Sequence, residues 1–306
     1  MADLALIKKL REATGCGISD CNKALAECGG DLNKSIDWLR KKGLSAAVKK
    51  GGRVTSEGLV AVAVKENHAT IIEVNSETDF VARNEKFQNF VNDILKIAGE
   101  FGNDVDKLKA SNYPSKTVSV EEETKNQIGT IGENINVRRI DSLSVNQGVV
   151  VSYVHNLVAP NLGKIAVLIA LESAGDKEKL NELGKQIAMH VAAAKPEALD
   201  VASVNSDNLK RESEVLKEQA RASGKPENII DKMIEGRIRK YYEEVVLLEQ
   251  NFVMDDKIKI KDLVASAVKE IGAPTILKGF KLFILGEGIE KKENDFAAEV
   301  AAAVNG

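Results

Sequence analysis

Residues 58–77 read GLVAVAVKENHATIIEVNSE, and this stretch decides the fold class of the chain. Two runs rich in Val, Ile and Ala flank the turn dipeptide Glu66-Asn67, a pattern typical of an antiparallel β-hairpin. A stripe of apolar residues at helical spacing follows in residues 85–98, formed by Phe87, Phe90, Val91, Ile94, Leu95 and Ala98. A hairpin followed by an amphipathic helix predicts a small sheet that is covered by a helix.

The same order of elements returns in the second half of the chain. Residues 148–156 (GVVVSYVHN) and 164–173 (KIAVLIALES) predict a second hairpin, and an apolar stripe predicts a helix from Lys177 to Ala194. A further predicted strand completes each unit, at residues 132–140 and 280–287. We therefore predict an α+β fold with two related subdomains, each a three-stranded antiparallel sheet with helices on one face.

The N-terminal residues predict a small domain of three helices. Apolar spacing predicts helices that run from Leu4 to Thr14, from Ile18 to Ala26 and from Leu32 to a stop at Gly43. Candidate N-caps are Ser19 or Asp20 for the second helix and Asp31 for the third. The arrangement looks like a ubiquitin-associated (UBA) domain. The turn Thr14–Ile18 joins its first two helices and places the apolar side chain of Ile18 beside a glycine loop. Ile18 is either a core residue or part of a loop that docks on a partner.

The remaining segments predict an arm and a tail. Helical patterns from Ile229 to Glu249 and from Asp262 to Ile271, separated by a break, predict a protruding antiparallel coiled coil. Such an arm contacts a partner or a second copy of the chain. A short amphipathic helix is predicted at Asn294–Val304. Five parts are predicted along the chain. They are a UBA-like domain with linker (1–53), subdomain N (54–140), subdomain C (141–228 with 273–288), the arm inserted in it (229–272) and a C-terminal helical module (289–306).

Charge is unevenly distributed along the 306 residues. The net charge is −3, but residues 1–55 carry +5 and the remainder carries −8. A basic N-terminal domain on an acidic body favours an acidic partner, either a protein or an RNA. With few aromatic residues available for base stacking, direct binding of nucleic acid is the less favoured alternative.

Sequence signatures of enzymes are missing from this chain. It contains no GxxxxGK[ST], GxGxxG after a strand, HExxH or GxSxG motif, and its three histidines are far apart. The chain has three cysteines, Cys16, Cys21 and Cys28. An odd number disfavours a disulfide framework and favours reduced thiols in the cytoplasm. The sequence shows no signal-peptide or transmembrane run. We expect no bond chemistry, no bound cofactor and no metal.

Several motifs, in order and over nearly the whole length, resemble the elongation factor Ts family. They are LREATGCGISDCNKAL (10–25), TDFVARN (78–84), IGENINVRRI (131–140), IAMHVAAAKPE (187–197), SGKP (223–226), MIEGRIRK (233–240) and FILGEGIEKKENDFAAEVAA (283–302). The resemblance implies a guanine-nucleotide exchange factor that acts on the GTPase elongation factor Tu during translation.

The resemblance also implies which residues contact the GTPase. Asp79 and Phe80 enter its nucleotide domain near the magnesium site, with Thr78 and Val81 as their neighbours in the wedge segment. Arg11 and Ile18 contact the same domain, His190 contacts the partner from the second subdomain, and the tail grips the nucleotide domain. From the residues alone, Phe80 could instead continue the buried stripe of Phe87, which lies seven positions later. The alternative functions are a UBA-type adapter and an RNA-binding protein that uses the basic N-terminal domain.

Overall fold

Three helices form the N-terminal domain in the computed structural model, which describes residues 3–114, 116–207, 209–211, 214–215, 218 and 227–290. They are α1 (Leu4–Thr14), α2 (Ile18–Glu27) and α3 (Leu32–Lys50). Gly15 ends α1 with φ 69°, a left-handed conformation that glycine adopts at little cost. Asp31 caps α3 by accepting the N–H of Lys34, as predicted, whereas Gly17 rather than Ser19 or Asp20 occupies the N-cap of α2. The helices enclose a small core of Leu10, Cys21, Ala24, Leu25 and Leu39.

We call the three-helix domain of α1 to α3 the head. The first sheet and its helices follow it in the chain. In chain order the elements are β1 (Glu57–Lys65), β2 (His68–Ser76), α4 (Asp79–Ala82), α5 (Glu85–Ala98), α6 (Val105–Ala110), α7 (Val120–Ile131) and β3 (Ile135–Ser144). The β1–β2 hairpin pairs from Glu57↔Ser76 to Lys65↔His68, around the predicted turn. The predicted α5 is confirmed in type and in both bounds.

The second half contains the second sheet and its helices. The elements are β4 (Gly148–His155), β5 (Leu162–Gly163), β6 (Ile165–Ser173), α8 (Lys177–Ala194), α9 (Glu227–Val245), β7 (Asn251–Phe252), β8 (Asp255–Lys259), α10 (Ile260–Ile271) and β9 (Thr275–Ile284), with 3₁₀ turns at Val201–Ser203 and Leu247–Glu249. The predicted α8 is confirmed in both bounds. The predicted C-terminal helix at 294–304 lies outside the described residues.

The two sheets pack face to face, and this explains the apolar runs of the sequence. Strand order is β3-β2-β1-β5 in the first sheet and β4-β6-β9 in the second. Along β1, Leu59 and Ala61 face the helix-covered core, whereas Val60 and Val62 join the core shared with the second sheet. Both faces of these strands are therefore buried, so nearly every position is apolar. The α+β class and the antiparallel sheets are confirmed.

The first sheet has four strands rather than the predicted three. The additional strand β5 comes from the loop after β4 and pairs with β1 through Val60↔Gly163 and Ala61↔Leu162. Strand β3 also extends to Ser144, beyond the predicted boundary at residue 140. A two-residue strand is stabilised by its neighbour rather than by its own pattern, and it gives no periodic signal in the sequence.

Gly43 does not end the third helix, because tertiary packing overrides its local effect. Helix α3 continues through Gly43 to Lys50 and crosses α7 there. A Cβ atom on Gly129 of α7 would lie 2.6 Å from the Cα of Gly43, so the two glycines allow the helices to cross in close contact. The cost of a glycine within a helix is thus offset by packing against the body.

The predicted coiled-coil arm is only partly matched by the described elements. Helix α9 covers most of its predicted first helix, and Ile234 and Ile238 form a small apolar cluster on it. Helix α10, however, buries Ile260, Val264 and Ile271 in the core of the second subdomain. The break between the helices is an ordered hairpin of β7 and β8. None of the helices in the described part of the chain has the length and apolar composition of a membrane span.

Candidate partner-binding site

Phe80 is the most conspicuous apolar side chain on the first subdomain. It lies on the single turn of α4 and is 79% exposed, whereas Phe87 on the next helix is 0% exposed. The hypothesis that Phe80 continues the buried stripe of Phe87 is therefore wrong. The two aromatic rings point to different environments because α4 and α5 are separate helices, divided at Asn84, which caps α5 by accepting the N–H of Lys86.

The base of this turn is buried, although its tip is exposed. Val81 is only 5% exposed and belongs to the core of the first subdomain with Ala82. Arg83 N–H donates to the carbonyl of Phe80 and Asn84 N–H to that of Val81, which closes the turn. The side chain of Val81 thus anchors the wedge segment, residues 78–81, and is not itself presented to a partner. Asp79, partly exposed, lies in the first turn of α4 beside Phe80.

A carboxylate from another part of the chain holds the start of the wedge segment. Glu133 accepts the backbone N–H of Thr78 at 2.9 Å and the Thr78 hydroxyl at 2.7 Å. The Ser76 hydroxyl donates to the Thr78 carbonyl at 2.9 Å. Hydrogen bonds to a charged acceptor are stronger than neutral ones, so the segment that carries Phe80 is fixed at its base. Glu133 belongs to the motif IGENINVRRI, but neither the motif nor any periodicity indicates that its carboxylate reaches Thr78.

The head presents a second exposed apolar residue. Ile18, at the start of α2, is 59% exposed, which excludes its interpretation as a core residue. Arg11 is also exposed and lies in the last turn of α1. Lys86, in the first turn of α5, donates to the carbonyl of Gly15 at 2.6 Å, so the glycine loop before Ile18 is tied to the helix that follows the wedge segment.

His190 occupies a different kind of position from the other predicted site residues. It is 0% exposed on α8 and contacts Gln250 and Val253. The backbone N–H of Val253 must donate to Nδ1, so Nε2 carries the proton and donates to Gln250 Oε1 at 2.9 Å. Val253 and Met254 form the exposed apolar tip of the β7–β8 hairpin. His190 therefore supports a surface rather than forming one.

The burial of His190 predicts a pH dependence of stability. Burial lowers the pKa of His190, although the contact with Gln250 opposes this shift. An unfolded chain takes up the proton near pH 6.5, while the folded chain resists it, so stability falls as pH decreases through that value. We expect the free energy of unfolding to decrease between pH 7 and pH 5.5, by at most about 1.4 kcal/mol per pH unit from this group.

The measurement is urea unfolding at several pH values, for the parent and for His190→Gln. We expect a shallower pH slope in the variant, since glutamine does not titrate. Equal slopes for the two proteins would exclude His190 as the source of the effect.

The described residues bring together no candidate metal site. No group of three or more His, Cys, Asp or Glu that could hold a metal occurs among them. A cleft of about 510 Å³ lies between the head and the helices α5 and α7, and two ion pairs, Lys42–Asp20 and Lys116–Glu123, lie among its lining residues. All three cysteines are free thiols, and burial raises the pKa of Cys21.

Comparison with known proteins decides the family. The family model "Elongation factor TS" matches residues 77–287, which include the wedge segment, strands β3 and β5 of the first sheet, the whole second sheet and the β7–β8 hairpin. The chain belongs to the elongation factor Ts family. Membership confirms the predicted function, guanine-nucleotide exchange on elongation factor Tu during translation elongation.

Full-length relatives support the same assignment. The elongation factor Ts of Rhodospirillum centenum is 59% identical over 97% of this chain and 97% of its own length. The proteins of the same name from Gluconobacter oxydans and Parvibaculum lavamentivorans are 57% and 54% identical, and each alignment covers at least 97% of both chains. The similarity therefore extends through the head and tail, beyond the residues that the family model matches.

Proposed function

We propose that this elongation factor Ts family member releases GDP by inserting Phe80 beside the magnesium and phosphate site of elongation factor Tu. The observation that supports the proposal is a large apolar side chain, 79% exposed, on a turn whose base is buried and hydrogen-bonded. Exposing a phenylalanine to water is unfavourable unless a partner buries it. The factor itself breaks no covalent bond.

The chemistry of the partner explains why an aromatic wedge suits exchange. A GTPase holds its nucleotide through phosphate contacts and a Mg²⁺ ion that demands near-ideal octahedral geometry. A ring forced between elements beside this site displaces the ligands of the ion. The factor then binds the empty GTPase more tightly than the loaded one. By linkage, the nucleotide weakens binding of the factor by the same ratio, so exchange is reversible.

The magnitudes require more than one contact. Accelerating release a thousandfold needs ~4 kcal/mol. Burial of one phenylalanine side chain supplies roughly 1.5–3 kcal/mol. We propose that Arg11 and Ile18 of the head and the tail, residues 289–306, supply the remainder on the nucleotide domain. Buried His190 contributes by holding the hairpin tip, which makes the contact from the second subdomain.

We propose that the chain is divided into five parts, which carry these contacts with elongation factor Tu. The head is a UBA-like domain at residues 1–53, followed by subdomain N (54–140), subdomain C (141–228 with 246–288), an inserted arm and the C-terminal module (289–306); the arm predicted at 229–272 is reduced to 229–245, because Leu247, Phe252 and α10 pack in the core of subdomain C. Pairing of two copies through the arm is part of this proposal. The site of action is the cytoplasm, where elongation factor Tu works.

The test of the proposed function is release of fluorescent GDP from purified elongation factor Tu. A trap of unlabelled GDP prevents rebinding, and the fluorescence decay is followed with and without this chain. We expect the decay rate to rise with the concentration of the factor until it saturates. A rate that is independent of added factor would overturn the proposal.

Asp79→Ala tests the ranking of the two neighbours in the wedge segment. Asp79 is partly exposed, and the interactions of exposed charges contribute ~0–1 kcal/mol. We therefore expect a decrease of less than about fivefold in the rate of GDP release at saturating factor. Complete loss of exchange from this single substitution would reverse the ranking and assign the main role to the carboxylate.

A further inference from the structure

The wedge segment and the head meet at one short turn of the chain. This turn, residues 132–134, joins α7 to β3 and contacts both the wedge segment and the end of the head. On the wedge side, Glu133 accepts both hydrogen bonds from Thr78, and the N–H of Asn134 donates to Glu77 at 2.6 Å. The two segments therefore hold each other through two carboxylates that lie on opposite sides of the contact.

The same turn also binds the end of the head. Lys50, the last residue of α3, donates to the carbonyl of Gly132. The side-chain amide of buried Asn134 donates from Nδ2 to the backbone carbonyl of Arg53 at 2.9 Å. The guanidinium of Arg53 pairs with Glu77 at 3.2 Å, which joins the head directly to the residue before Thr78.

Helix α7 itself carries the head. The Gly43–Gly129 crossing lets α3 pack directly on α7, one turn before residues 132–134. Protein interiors are packed densely enough that such a contact leaves little freedom for sliding. The head and the wedge segment are thus attached to one rigid element, the head along its side and the wedge at its C-terminal end.

We propose that Glu133 is a positioning residue for nucleotide exchange. It fixes the turn that carries Phe80 to α7, and so presents Phe80 at a constant distance from Ile18 of the head. Two surfaces that must engage one partner domain together gain from being held in place, because ordering them on binding costs free energy. The inference rests on the proposed wedge function of Phe80.

A double-mutant cycle between Glu133 and Phe80 tests the inference. Glu133→Ala removes both acceptors of Thr78, and we expect the saturating rate of GDP release to fall about tenfold, because hydrogen bonds to a charged acceptor are strong and the wedge segment loses two of them. In the Phe80→Ala background the same change is expected to alter the rate by less than about twofold, because no wedge remains to be positioned. Glu133→Gln retains an acceptor for the Thr78 N–H and is expected to restore part of the rate.

The control is Glu100→Ala, which removes an exposed glutamate just after the far end of α5. We expect it to exchange at the parental rate. Thermal unfolding of each variant confirms that equal amounts of folded protein are compared. If Phe80→Ala itself has no effect, the wedge function fails. If Phe80→Ala slows release but Glu133→Ala matches the parent, or lowers the rate equally in both backgrounds, the wedge function stands and the positioning role is overturned.

Discussion

Phe80→Ala is expected to slow factor-stimulated release of GDP by about 10- to 100-fold at saturating concentration. The range follows from the roughly 1.5–3 kcal/mol that burial of a phenylalanine supplies, since each 1.4 kcal/mol changes a rate tenfold. The fold is expected to remain intact, because the ring is 79% exposed and contributes little to the core. The measurements are fluorescent GDP release and urea unfolding on the same preparation.

Leu157→Ala is the matched control for this substitution. Leu157 is another large apolar residue that is mostly exposed, and it lies in the loop after β4 rather than in the wedge segment. We expect its exchange rate to equal that of the parent. A similar loss from Phe80→Ala and Leu157→Ala would mean that exposed apolar area in general, and not the wedge, determines exchange.

Phe87→Ala is expected to show the opposite behaviour. The ring of Phe87 is fully buried between α5 and the first sheet, in the same core as Leu59 and Val74. Removing a buried phenylalanine costs about 3–5 kcal/mol, from lost burial and from the cavity that remains. We expect the free energy of unfolding to fall by that amount, while the folded fraction still exchanges nucleotide at close to the parental rate.

The two variants together separate stability from function within seven residues of sequence. Urea unfolding measures the loss in Phe87→Ala, and GDP release at a temperature where the variant stays folded measures its activity. If the midpoint of urea unfolding were the same for Phe87→Ala and the parent, the assignment of Phe87 to the core would be contradicted. A large loss of stability in Phe80→Ala would likewise show that the exposed ring is part of the fold.

The elements that were predicted correctly are those with a strong internal period. Helices α5 and α8 begin and end at the predicted residues because their apolar stripes recur every three or four positions and stop at clear boundaries. The β1–β2 hairpin was predicted from two β-branched runs and the dipeptide Glu66-Asn67 between them.

The elements that were missed depend on residues distant in the sequence. Glycine ends many helices, yet α3 passes through Gly43 because Gly129 lies against it. Helix α10 was predicted as part of an arm because its pattern is amphipathic, and amphipathicity does not say which partner covers the apolar face. Strand β5 exists only because β1 offers an unpaired edge.

The candidate site divides in the same way. The resemblance of TDFVARN to the family supplied Thr78, Asp79, Phe80 and Val81, but it could not say which side chains face solvent. Phe80 is exposed and Val81 is buried, although both are apolar neighbours on one turn. The hydrogen bonds that Thr78 donates to Glu133 span 55 positions of sequence, and although Glu133 lies in the motif IGENINVRRI, nothing near either residue indicates this contact.

The sequence by itself determined the α+β class, the periodic helices and the family, because each depends on local patterns or on motifs in order. Only the tertiary structure decided that Phe80 lies outside the core, that His190 lies beneath the hairpin tip and that α7 joins the head to the wedge segment. The physical reason is that burial and hydrogen bonding are set by what packs against a residue, and those neighbours come from anywhere in the chain.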